Sequence, residues 1–304
     1  MIYLLLAVMS ALFALQAFFC KKFSDHFPGD TSCASIVFSV LYGLVTMLIN
    51  LFSSGFNLTT HWITIALGII NAVMMMLYNY ALIKAASRGS YSIVTISQLF
   101  GALIVPTLIS FFQDVVPTSI QIIAIIVMLV AFVFLNLDGI RKKTTSKKFY
   151  LYCIILFVSN GIYCSLISVQ SNLVLNWYGR DESKEMIIIT YLFTAIFALI
   201  WLIIKRGRTF AREFEITRKS VLYLFLTCIV ATVGLRILMY CLPIAGNAVT
   251  YAIDNAGILI VSVALSMIIF RERLSATKVV GIVMALVSVL MLTSGDAVIQ
   301  MILA

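Results

Sequence analysis

The stretch TCIVATVGLRILMYCLPIAGNAVTYAIDNAGI, residues 227–258, decides how the rest of the chain is interpreted. Two apolar runs flank a short break at 242–246, a pattern that predicts two membrane helices joined as a hairpin. Arg236 lies inside the first run and Asp254 inside the second. At about 1.5 Å of rise per residue they reach depths of roughly 12 and 15 Å from the break, so we expect the two side chains to meet.

Such a depth is close to the middle of a hydrocarbon layer about 30 Å thick, where an unpaired charge costs at least ~2.5–3.5 kcal/mol. Two interpretations of Arg236 and Asp254 stay open. They neutralise each other inside a packed bundle, or they line a substrate or proton pathway. Ionisable residues inside membrane segments favour the second interpretation.

The composition indicates a membrane protein. Of the 304 residues, 62% are hydrophobic and 11% are charged, against roughly 45–50% and 25% in soluble domains. Because apolar stretches of about 18 residues or more recur along the chain, the net charge of +9 reports membrane topology and not nucleic-acid binding. The six cysteines form no Cys-x-x-Cys motif and there are two histidines, so we expect no metal site, no cofactor and no enzymatic activity.

Breaks at charges, Pro and Gly predict ten transmembrane helices. The predicted spans are 2–20, 32–53, 62–84, 90–112, 118–137, 149–172, 186–204, 220–241, 246–270 and 276–294. All of the 21 Lys and Arg residues except Arg180, Lys184 and Arg236 fall at the links after odd-numbered helices. The positive-inside rule then predicts a multi-pass protein of the cytoplasmic membrane with both termini extracytoplasmic.

The two halves have the pattern of an inverted repeat. Shifting the chain by about 158 positions superimposes 112–114 on 270–272 and the third to fifth helices on the eighth to tenth. We therefore predict an all-α integral membrane protein whose halves, 1–145 and 146–304, are five-helix repeats. An odd number of helices per repeat inserts the halves in opposite orientations, as in many secondary transporters.

One motif resembles that of a known family. Residues 270–281, FRERLSATKVVG, resemble the junction before the last helix of EamA-type transporters of the drug/metabolite transporter superfamily. The first-half counterpart at 112–118 keeps an acid but lacks Arg-Leu-Ser. The resemblance implies two five-helix repeats around a central cavity, alternating access, small metabolites as cargo and no cofactor.

Polar residues that share helix faces with the charged pair are the candidate substrate-binding residues. On the second helix of the hairpin, Asp254 shares a face with Asn247, Thr250 and Tyr251, opposite a row of alanines. The full predicted set is Arg236, Asp254, Tyr240, Asn247, Thr250, Tyr251, Asn71, Tyr78, Asn79, Tyr91, Gln98, Asn160 and Tyr163. In it, Arg236 suits a carboxylate or phosphate and Asp254 suits an amine, or carries a proton.

The sequence therefore predicts a secondary transporter for an amino-acid-like, amine or other amphipathic solute, proton-coupled or working as an exchanger. The alternatives are a flippase for a lipid-linked headgroup and a membrane receptor or scaffold without transport. The expected partners are a small-molecule substrate and membrane lipids, with no nucleic acid, and the expected state is a monomer or homodimer.

Overall fold

The fold consists of long α-helices. A computed structural model describes residues 2–28, 31–56, 59–86, 91–110, 118–140, 147–270 and 275–303, and these ranges contain no β-strand. The prediction of an all-α protein is confirmed. The long helices are α1 (Ile2–Asp25), α2 (Thr31–Ser53), α3 (Trp62–Ala86), α4 (Tyr91–Ser110), α5 (Ser119–Ile140), α6 (Lys147–Val169), α7 (Ser183–Arg206), α8 (Arg218–Ala245), α9 (Asn247–Phe270) and α10 (Ala276–Leu303).

Several helices extend beyond their predicted ends. The first continues through Lys22 to Asp25, because no helix breaker precedes Pro28. The break predicted at 242–246 is limited to Gly246 in the structure. Gly246 has a φ of 75° and donates its N–H to the Leu242 carbonyl at 2.9 Å. A residue with a side chain rarely adopts that φ, so glycine ends α8 here.

Irregular helix follows α6 and α7. After α6, a π-helical turn at Gln170–Val174 and one α-helical turn at Leu175–Tyr178 carry the chain past the predicted end at residue 172. A 3₁₀ segment at Gly207–Phe214 follows α7.

The outer surface is apolar. Within the described ranges, six helices are long and apolar enough to cross a membrane, namely α1, α2, α3, α6, α7 and α8, and the others contain shorter apolar stretches. Large apolar side chains such as Leu4, Phe52 and Ile204 project outward, the last with 78% of its surface exposed. Apolar exposure on this scale indicates contact with lipid, so we describe the chain as a multi-pass membrane protein.

Most of the tightest helix pairs join the first five helices to the last five. Helix α1 packs against α8 and α9, α2 against α7, α3 against α6 and α7, α4 against α6, and α5 against α10. The Ser288 hydroxyl of α10 donates to the Ala124 carbonyl of α5 at 2.6 Å.

Small residues set two of these contacts. A Cβ on Gly101 of α4 would lie 2.3 Å from the Phe157 carbonyl oxygen of α6, and a Cβ on Gly257 of α9 would lie 2.4 Å from the Ser10 Cβ of α1. Small residues let helix backbones approach closely in a membrane. Near Gly101, the Asn160 amide of α6 also donates to the Gln98 carbonyl of α4 at 2.8 Å.

We expect Gly101→Ala to destabilise the fold by about 1–3 kcal/mol, because the new methyl group meets a rigid backbone carbonyl and α4 must move away from α6. Thermal unfolding in detergent measures the effect. Ala7→Val, at an exposed position on α1, is the control and should leave the melting temperature unchanged. Equal melting of Gly101→Ala and the wild type would contradict close packing at this position.

Candidate functional site

A buried chain of hydroxyl groups lies where α2 and α7 cross. The crossing is close, since a Cβ on Gly43 would stand 2.7 Å from the Tyr191 carbonyl oxygen. There the Tyr42 and Tyr191 hydroxyl oxygens lie 3.2 Å apart, and the Gln16 amide of α1 donates to the Tyr42 hydroxyl at 3.3 Å. Tyr163 of α6 hydrogen-bonds Tyr191. Four helices thus bring polar groups to one buried point.

A small cavity adjoins this chain. It offers about 10 Å³ to the centre of a water-sized sphere, roughly the space that one water needs. Its lining is apolar apart from amide and hydroxyl groups and consists of Asn71, Tyr163, Ile167, Met186, Ile187, Thr190, Tyr191, Leu235 and Met239. The cavity is too small for an organic solute, so it is not the central chamber that the sequence predicted between the halves.

Several buried polar atoms of the described residues have no hydrogen-bond partner. Two belong to the lining of the cavity, the Asn71 Oδ1 and the Thr190 Oγ1. Others are the Thr250 Oγ1, the Asp254 Oδ1 and both side-chain polar atoms of Gln170. Buried polar groups are nearly always paired in proteins, so a group of unpaired ones indicates a site that takes up polar ligand atoms or water.

The π-helical turn adds a polar junction to this region. Gln170 is buried at its start, and just before it the Ser168 hydroxyl donates to the Asn247 Oδ1 of α9 at 2.7 Å. Single π turns inside α-helices occur frequently at functional sites.

A buried glutamate before α7 is hydrogen-bonded to residues at the start of α3. The fully buried carboxylate of Glu182, between α6 and α7, accepts hydrogen bonds from the Thr64 hydroxyl at 2.6 Å and the His61 backbone N–H at 3.1 Å. The His61 Nδ1 also pairs with this carboxylate, and its ring stacks on Tyr178 with 3.9 Å between centroids. We name Glu182, His61 and Thr64 the latch.

The latch carboxylate is held ionised. Burial raises the pKa of Glu182, but the hydrogen bonds from Thr64 and His61 together lower it by more. The net result is a pKa below the ordinary value of 4.5.

Helical spacing places the latch over the cavity. Thr64 and Asn71 are seven residues apart on α3, and therefore on one face and about 10 Å apart along the axis. Glu182 precedes Met186 by four residues at the start of α7. A Cβ on Gly68, between these levels, would come 2.6 Å from the Ile189 side chain. The latch therefore lies about 10 Å from Asn71 along α3, with the close α3–α7 contact at Gly68 between them.

The predicted ion pair between Arg236 and Asp254 is wrong. Arg236 donates from Nη2 to the Asn50 Oδ1 at 3.0 Å, donates from Nε to the same oxygen at 3.3 Å, and bonds Ser53 through Nη2. Its long side chain reaches the C-terminal end of α2, where the helix dipole attracts a cation. Asp254 is buried beside Ser10 of α1.

Other predicted residues divide into three groups. Asn71 and Tyr163 line the cavity. Tyr251 donates to the Cys164 carbonyl at 2.7 Å and Asn79 donates to the Ser39 hydroxyl at 3.2 Å, so both are held by helix–helix bonds. Asn247, Gln98 and Asn160 lie at the contacts given above, the buried Thr250 hydroxyl is unpaired, and Tyr78 packs against the cluster that contains Phe149 and Leu156.

Two predicted positions lie elsewhere. Tyr240 has 54% of its surface exposed, so its place in an internal site is a wrong prediction. Its helix turns that side chain toward the outside while Met239 lines the cavity. The side chain of Tyr91 lies outside the described residues.

Sequence reasoning missed the residues at the centre of the site. Tyr42 and Tyr191 stand in apolar helices, where a tyrosine looks like any core or interfacial residue. Their contact joins positions 149 residues apart, which no local pattern encodes. Nothing in the sequence singled out Glu182 and His61, because they sit in short links on the side that carries few Lys and Arg residues.

Comparison with known proteins supports the fold alone. No protein-family model and no curated protein matches the chain. One solved structure, described only as the crystal structure of a protein, is 11% identical and superimposes with a TM-score of 0.63. The match covers 95% of this chain and 97% of the other, so the two share an overall fold.

The latch predicts acid sensitivity. Because folding lowers the pKa of Glu182, its contribution to stability is complete above pH 4.5 and is lost as the pH falls through the lower, folded-state pKa. We expect the melting temperature of the wild type to fall more steeply below pH 4.5 than that of Glu182→Gln, in detergent. Glu213→Gln removes a carboxylate that pairs with Arg206 at 3.0 Å, away from the latch, and should keep the wild-type acid dependence. Identical pH profiles for Glu182→Gln and the wild type would contradict the assignment.

Proposed function

We propose that the protein is a secondary transporter of the drug/metabolite transporter type, which moves a small organic solute across the membrane by alternating access. The observation that carries this proposal is a small cavity between the halves whose lining includes two unpaired polar atoms, the Asn71 Oδ1 and the Thr190 Oγ1. A site that must release its solute alternately to either side needs such groups, and it needs a conformation in which both sides are closed.

The helix packing supports an inverted repeat of 1–145 and 146–304. In such a repeat each helix of the first half corresponds to the helix five places later, α1 to α6 and so on to α5 and α10. The α1–α9 pair then corresponds to α6–α4, and the α1–α8 pair corresponds to α6–α3; all four pairs are observed contacts. The same correspondence maps the α2–α7 and α5–α10 pairs onto themselves. A two-fold relation between five-helix halves accounts for this pattern, and ten transmembrane helices are then required.

Individual residues support the same relation. Gly101 and Gly257 permit the close α4–α6 and α9–α1 contacts, and Asn160 and Ser10 hydrogen-bond carbonyls on the same helices. The Asn160 bond reaches Gln98, three residues before Gly101, and the Ser10 bond reaches Ile253, four residues before Gly257. The Tyr42–Tyr191 contact would then lie beside the two-fold axis.

Contacts between the links support the proposed topology. Near the basic links, Thr217 donates to the His26 carbonyl at 3.2 Å and Arg206 contacts the Cys33 thiol at 3.1 Å. The α2–α3 and α6–α7 links meet each other at the latch. With the basic links in the cytoplasm, the latch closes the extracytoplasmic side and both termini are extracytoplasmic.

The lining of the cavity limits the solute. Its polar groups are the Asn71 amide and the Thr190, Tyr163 and Tyr191 hydroxyls, and the lining contains no charged residue. This chemistry suits an amphipathic solute without net charge, whose apolar part packs on the Met and Leu side chains while its polar atoms bond the amide and hydroxyls.

Vesicle flux tests the proposal. We expect reconstituted wild-type protein to move at least one member of a labelled panel of alanine, adenine and glucose, which have no net charge, and not the dication putrescine. Tyr191→Phe should slow that flux about five- to tenfold, since a hydroxyl contact at the site is lost. Tyr240→Phe removes the same group from an exposed position and should retain wild-type flux. A panel that does not move, or equal rates for the two variants, would refute the proposal.

Orientation has a separate test. A reporter enzyme that works only outside the cytoplasm should be active when fused after Ala304. In the proposed topology α10 begins at the cytoplasmic side and ends outside the cytoplasm. The same reporter inserted after Arg208, in a basic link, is the matched control and should be inactive. The reverse pattern would overturn the proposed topology.

A further inference from the structure

Asp254 is a buried acid that has no cationic partner among the residues that the structure describes. Arg236 is the one base that the sequence places well inside an apolar segment, and its guanidinium is bound to Asn50 and Ser53 of α2. The Asp254 side chain is buried, and its Oδ1 has no hydrogen-bond partner. An ionised carboxylate in such a place is strongly disfavoured unless it is paired.

The neighbouring hydroxyl groups do not supply the missing protons. Ser10 and the Asp254 carboxyl group are hydrogen-bonded, and the Ser10 hydroxyl itself donates to the Leu6 carbonyl at 2.9 Å, with the Ile253 carbonyl at 3.4 Å. The Tyr251 hydroxyl donates to the Cys164 carbonyl at 2.7 Å. A hydroxyl has one proton to donate, so Ser10 is left as an acceptor for a proton that comes from Asp254.

The helices around α9 bring no other charge to this level. Residues 2–20 of α1, 97–109 of α4, 119–134 of α5 and 279–288 of α10 contain no Asp, Glu, Lys, Arg or His. From α6 the facing titratable groups are the Cys164 thiol and Tyr163, and on α9 itself it is Tyr251. From α8, Arg236 is engaged with α2.

We propose that Asp254 is a proton-binding site which is occupied in this conformation, with the bound proton donated toward the Ser10 oxygen. Loss of the proton would leave a carboxylate at the tight α1–α9 contact, where Gly257 already faces Ser10 without space for a Cβ. The charge can be solvated only if α1 and α9 separate and admit water. Proton release is thereby coupled to opening of the α1–α9 contact.

Infrared spectroscopy of the reconstituted full chain tests whether the site is occupied. The spectrum of the wild type minus that of Asp254→Asn at neutral pH should contain the C=O stretch of one protonated carboxyl group. Asp254→Asn keeps the shape of the side chain and mimics its neutral form, so it should fold. Glu213→Gln removes a carboxylate at the α7–α8 link and should not remove this band. A difference spectrum with carboxylate bands at Asp254 would overturn the proposal.

Hydrogen–deuterium exchange tests the coupling to opening without any solute, so its outcome is independent of the proposed transport. Raising the pH should accelerate exchange of the α1 and α9 amides around 6–13 and 250–257 in the wild type, after correction for the intrinsic rate. In Asp254→Asn, which has no proton to lose, we expect no such increase. Equal pH dependence in the two proteins would show that Asp254 does not control this contact.

Discussion

The crossing of α2 and α7 determines where everything else in the bundle can lie. Gly43 lets the two helices approach until the Tyr42 and Tyr191 hydroxyls touch, and both rings are fully buried there. In an apolar medium an unpaired hydroxyl is costly, so each tyrosine stabilises the position of the other. Helices α1 and α6 then bring Gln16 and Tyr163 to the same point, and the small cavity forms beside it.

Polar groups inside the bundle fall into two classes with different consequences. Some are paired across helix contacts, as in the Asn79–Ser39, Tyr251–Cys164 and Ser168–Asn247 bonds, and they fix how the helices pack. Others are buried and unpaired, among them the cavity-lining Asn71 Oδ1 and Thr190 Oγ1. In the proposed transporter the first class forms the rigid frame, and the second class provides the interactions that solute or water completes.

The proposed repeat is symmetric in packing and asymmetric in chemistry. Gly101 and Gly257 hold equivalent places against α6 and α1, and three residues before each stand Gln98 and Asp254. One half therefore presents a neutral amide where the other presents an ionisable acid. The latch is equally one-sided, because it pairs an acid from the α6–α7 link with the start of α3. In the proposed transporter, two halves with one fold would therefore use different residues to control opening and closing.

The sequence alone determined the membrane class, the helices and the segments between them. These follow from apolar runs, glycine, proline and the placement of Lys and Arg, which act locally along the chain. It also singled out Arg236 and Asp254, since a charge within an apolar run is visible without coordinates. Only the tertiary structure decided their partners. Arg236 turned to Asn50 because α2 ends beside it, and Asp254 faced Ser10 because Gly257 brings α1 close. Contacts between residues 118 to 186 positions apart depend on how whole helices pack, and no local pattern in the sequence records that.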